Sequence, residues 1–166
     1  MTSRFPAGFT LLLTVSSACV GGQETPMPGG APSGFQNAYA APSCAPWDGY
    51  AVSLVLRNDA LAPTDSLIEN GQQPHLQIGL YPRNTRGENP SGLEPITFAW
   101  PAEPVIASAG YCVNGRCEDT PQGRVRVASV SPSGDFAGDV EITLKDGKVV
   151  RGSYQAKWRD RTILCG

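Results

Sequence analysis

A chain of 166 residues holds one domain plus accessory segments and has no room for two sizeable cores. Its 19 Gly and 15 Pro imply many turns and disfavour an all-helical fold. Beyond Arg4 the chain carries 12 basic against 15 acidic side chains, which excludes a dedicated nucleic-acid binder, since that function needs a concentrated basic face to displace counterions.

Residues 1–18 read as an export signal. Arg4 supplies the positive start, Phe9, Leu11, Leu12, Leu13 and Val15 a short apolar run, and Ser16, Ser17 and Ala18 the small residues before cleavage. The run is too short to span a bilayer, which takes about 20 apolar residues, and nothing later in the chain supplies such a stretch. Small residues leading directly into Cys19 resemble the lipobox of bacterial lipoproteins. The resemblance covers only this N-terminal segment. It implies that the Cys19 sulfur is alkylated by a diacylglyceryl group and that Cys19 becomes the acylated N-terminus. The membrane would then be a partner through that lipid, and the location the bacterial cell envelope, at the outer membrane. The position three before the cysteine is Ser16, where an aliphatic residue is usual, with Val15 one further back. Ser-x-Ala also suits ordinary signal peptidase, and that route would secrete the protein with Cys19 unmodified.

Residues 20–43 are poor in branched apolar side chains and rich in Gly, Pro, Ser and Ala, so they bury too little surface to fold. As a flexible coil this segment reaches roughly 25–30 Å, enough to hold a domain clear of lipid headgroups. The expected layout is a signal over 1–18, a lipidated cysteine and tether over 19–43, and a folded domain over 44–166. Phe35 and Tyr39 are the tether residues able to dock on that domain.

Five cysteines are an odd number for an exported protein, and assigning Cys19 to lipid leaves an even set. Cys112 and Cys117 flank Val113-Asn114-Gly115-Arg116, and Asn-Gly is a strong signal for a two-residue hairpin turn with positive φ at both positions. That turn sets Cys112 opposite Cys117 in a pair close enough for a cross-strand disulfide. Cys44 and Cys165 then pair across nearly the whole domain. Loop-closure entropy makes this long bridge worth about 5 kcal/mol, against about 2 kcal/mol for the hairpin bridge.

From residue 44 onward, period-two runs recur between turn residues, the pattern of a sandwich or barrel. The candidate strands are 50–57, 74–81, 96–100, 105–113, 116–119, 124–130, 136–144 and 148–158. They predict a small antiparallel all-β sandwich of about eight strands, stapled by two disulfides, after a disordered N-terminal tether. Residues 64–70 suit one helical turn, and the polar stretch 83–92 an exposed loop. In the last hairpin, a three-residue loop Lys145-Asp146-Gly147 opposes Ile142 to Val150 and Glu141 to Arg151. This register gathers Val140, Ile142, Leu144, Val150, Gly152 and Tyr154 on one face.

Chemistry-bearing motifs are sparse. His75 is the one histidine, and no Gly-x-Ser-x-Gly elbow accompanies it, so a surface or strand-edge role is expected over a catalytic one. Asp135, Asp139 and Glu141 are close in sequence, but alternation sends Asp139 and Glu141 outward to a solvated face. Lys157, Arg159 and Arg161 alternate with Trp158 and Asp160, and are also expected to be solvated. By parity Trp100 shares a face with Ile96 and Phe98, and Trp158 with Tyr154. Trp47, beside Asp48, Gly49 and Tyr50, is the tryptophan whose exposure parity leaves open; core packing is expected there over ligand stacking, for which Tyr50 would be its companion. No metal or cofactor motif is present, and none is expected to be used. The expected function is a lipid-anchored envelope protein without catalytic activity that binds or presents a protein or envelope polymer. The alternatives are a glycan or envelope-polymer binding module, which would use Trp47 and Tyr50, and a small secreted hydrolase, which would use His75.

Overall fold

The computed structural model describes residues 34–47, 49–62, 67, 73–82, 96–102, 104 and 106–165. The export signal, Cys19, the tether up to residue 33, the loop at 83–92 and all but Leu67 of the turn at 64–70 lie outside the described residues. The described chain is all-β, with no helix in it. Its strands are β1 (Asn37–Cys44), β2 (Tyr50–Arg57), β3 (His75–Leu80), β4 (Ile96–Trp100), β5 (Ala107–Val113), β6 (Arg116–Asp119), β7 (Gln122–Val130), β8 (Phe136–Thr143) and β9 (Val149–Trp158). They form a single sheet in the order β4-β7-β8-β9-β1-β2-β3-β5-β6. Every pairing is antiparallel except that of β1 with β9, which run parallel from Ala38 beside Ala156 to Ala40 beside Trp158.

The sheet curls because the inward side chains of both its halves bury one another. Leu54, Ile78, Phe98, Val125, Phe136 and Ile142 are among the side chains sealed in this shared core, each worth about 1.5–3 kcal/mol in transfer from water. The expected sandwich is thus one curled mixed sheet. Its two ends are tied by polar contacts. Trp100 Nε1, on edge strand β4, donates to Thr120 Oγ1 at 3.0 Å, and that hydroxyl donates to the Ala109 carbonyl of β5 at 3.2 Å.

The boundary expected at residue 43 is corrected. Residues 37–43 belong to β1, which lies in the middle of the sheet between β2 and β9, and Phe35 joins the core. Pro42 is tolerated there for a specific reason. The Ala40 carbonyl faces β9, where it accepts from the Arg159 amide at 2.7 Å, so the missing donor of Pro42 falls on the same side, just past the end of the β1/β9 ladder. The Pro42 carbonyl is used instead by the Arg161 side chain, whose Nε donates to it at 2.8 Å.

Both hairpin expectations hold. Asn114 and Gly115 have φ of 51° and 74°, as a type I′ turn requires, and Cys112 faces Cys117. Gly147 is left-handed at φ 84°, Ile142 pairs with Val150 and Glu141 with Arg151. Cys44–Cys165 and Cys112–Cys117 are the two disulfides, the first joining residues 121 apart.

Candidate functional site

The outer face of the sheet is uneven, and its unevenness follows from residue size. Over β1 and β2 it carries a second small apolar cluster of Tyr39, Ala41, Val55 and Leu67. Further along, the outward residues become small or polar. Ser53 of β2, Gly79 of β3 and Ser108 of β5 form one row across the strands, and Gln77, Gly110 and Asp119 form the next. With no bulk on these positions, a groove of about 630 Å³ opens above them. Its far wall is the C-terminal segment Arg161, Thr162, Ile163 and Leu164, drawn back over the sheet by the Cys44–Cys165 bridge.

Tyr81 closes one end of the groove. Its hydroxyl is hydrogen-bonded to Ser108 Oγ at 2.7 Å, and its ring crosses Gly79 so closely that a Cβ there would meet the phenolic oxygen at 2.5 Å. Glycine at 79 is what lets the ring lie down. Trp47 stands against Tyr81 edge-on, with ring centroids 5.4 Å apart, and keeps 51 % of its surface exposed.

The core packing expected for Trp47 is therefore corrected: it is exposed and seated on Tyr81, which lines the groove, while Tyr50 faces inward and packs half-buried on the main core. The structure does not bring them together as one platform. The parity of β2 explains why: Tyr50 shares a face with the core residues Val52, Leu54 and Leu56, whereas the turn that carries Trp47, closed by the Ala45 amide donating to the Gly49 carbonyl at 2.7 Å, folds onto the opposite face with Ala51 and Tyr81. The same parity, applied to Gly79 and Tyr81, is the signal that could have pointed to Tyr81.

The remaining candidates have structural partners. The surface or strand-edge place expected for His75 is corrected: it is buried, 6 % exposed, on β3 between β2 and β5, and its Nδ1–H donates to the Gln73 carbonyl at 3.0 Å. Neighbouring Asp59 is held by Arg57, whose Nε donates to it at 2.8 Å, and this hydrogen bond keeps the Asp59 carboxyl below its ordinary range. Asp139 and Glu141 do point outward, but Asp139 accepts from Ser153 Oγ at 2.8 Å and lies 3.5 Å from Arg126, so it is paired across strands. Asp135 accepts from the Trp158 amide at 2.8 Å. Solvation is also corrected for two of the three C-terminal cations. Arg159 donates to the Leu61 carbonyl at 2.9 Å and stacks over Tyr39, while Arg161 grips the Pro42 carbonyl. Both fasten the C-terminal segment to β1, and Lys157 is the one left exposed. Trp100 and Trp158 go where parity sent them, the first into the core and the second stacked on Phe136 with centroids 5.6 Å apart.

Comparison with protein-family models, curated proteins and solved structures finds no match to this chain.

Proposed function

We propose that this chain is an exported bacterial lipoprotein, held to the cell envelope through Cys19, whose β domain binds without catalysing. The observation that carries the reading is cysteine pairing. Cys44, Cys112, Cys117 and Cys165 are consumed by two disulfides, which form in an oxidising compartment, and Cys19 is left as the odd thiol directly after an export-like signal. The non-catalytic part is supported by His75, the chain's one histidine, which is buried with its Nδ1–H committed to a backbone carbonyl. Labelling with radioactive palmitate in a bacterial host tests the anchor. Wild type takes up label and partitions with membranes, and Cys19→Ala takes up none and is released. Equal labelling of both, or of neither, contradicts it.

The exposure of Trp47 favours a second reading of the domain, as a module for a glycan or other envelope polymer. A half-exposed indole set edge-on against a neighbouring ring offers the flat, electron-rich surface on which the C–H face of a sugar stacks.

A further inference from the structure

We infer that the groove on the outer face of β2, β3, β5 and β6 is a binding site for a neutral oligosaccharide, flanked by Trp47 on Tyr81. The inference rests on the glycan reading given above and assigns it a place and a chemical class.

Four observations point to that class. First, the floor is polar and low: Ser53, Ser108 and Gln77 offer hydroxyls and an amide that both donate and accept, as a sugar hydroxyl needs, and Gly110 leaves the backbone open beside them. Second, Ser53 is 4 % exposed and its Oγ has no hydrogen-bond partner among the described residues, a cost that a site tolerates where a ligand or water completes it. Third, the lining carries one carboxylate, Asp119, and one guanidinium, Arg161. Their charges cancel, which disfavours phosphate and other polyanions, while each alone serves as a strong acceptor or donor to a hydroxyl. Fourth, the lining residue Tyr81 is pinned by Ser108 and has Trp47 edge-on against its ring, which sets an exposed indole one ring away from the polar floor.

Size agrees with more than one ring. Crossing from β2 to β6 takes three strand spacings, about 14 Å, and the volume of about 630 Å³ lies in the range of built ligand sites. The wall formed by residues 161–164 is held by the long disulfide, so the bridge that staples the domain also completes the groove.

Gly110 provides the test. A Cβ there meets nothing closer than 3.6 Å, and residue 110 faces the groove, so Gly110→Leu fills the site from its floor without crowding the sheet. Asp119→Leu, on exposed strand β6, is the second variant should the first fail to fold. Each is titrated by tryptophan fluorescence and calorimetry with maltohexaose, cellohexaose and chitohexaose, with the thermal midpoint as the folding control. Wild type is expected to bind at least one of these at about 1 mM or below, Gly110→Leu or Asp119→Leu to weaken that binding about tenfold or more, and Trp47→Ala to weaken it as well. If wild type and Trp47→Ala differ but both groove variants bind as wild type, the groove is refuted and the glycan reading stands. If wild type binds none of the three, both fall.

Discussion

Strands β8 and β9 and strands β1 and β2 belong to one sheet but are built on different terms. In β8 burial alternates residue by residue, and its outward side chains meet water or pair across the ladder. In β2 every residue after Tyr50 is buried, because Tyr39, Leu61, Leu67 and the C-terminal segment cover the outer face. A strand with one wet face is specified by its own pattern and a local turn. A strand with two dry faces depends on what distant chain is laid over it, and the groove exists where that covering stops.

If this contrast is right, breaking the covering costs far more than breaking the wet face. The largest effect is expected from Cys44→Ser with Cys165→Ser, which removes the closure of nearly the whole domain and costs about 5 kcal/mol, whereas Cys112→Ser with Cys117→Ser costs about 2 kcal/mol. Denaturant unfolding of the two pairs measures the gap, and equal losses would contradict it. Next comes Arg159→Ala, which frees the Leu61 carbonyl and uncovers Tyr39 for a loss of about 1–2 kcal/mol by the same assay. The smallest is Glu141→Ala on the wet face, where the pair with Arg151 is 3.8 Å apart and exposed. A change within about 0.5 kcal/mol is expected there, and a larger one would show that the wet face is not as independent as its alternation implies.

The same contrast accounts for what could be read from sequence. The hairpin of β8 and β9 was legible down to its register, because Gly147 sets the turn and Val140, Ile142 and Val150 leave one face for the core. The disulfides were legible because Asn114-Gly115 pairs Cys112 with Cys117 and leaves one partner each for Cys44 and Cys165. Strand β1 was not. Asn37-Ala-Tyr-Ala-Ala-Pro-Ser-Cys44 has little β-propensity and no alternation, and its place is secured by β2 and β9 on either side, together with Arg159 and Arg161 reaching over from the far end of the chain. The groove was half legible. Trp47 stood out but was expected to pack, Tyr50 was its expected companion through nearness in sequence, and Asp119 and Arg161 are brought to one site by pairings that no local pattern encodes.

The two disulfides leave Cys19 as the odd cysteine, and the proposed anchor depends on its fate. Intact mass of the protein purified from bacterial membranes, taken without reduction and after treatment with a thiol-alkylating reagent, reads that fate directly. The proposed lipoprotein yields a chain that begins at Cys19, carries the added mass of a diacylglyceryl group and takes up no alkyl label. A chain that begins elsewhere and takes up one label at Cys19 would contradict it.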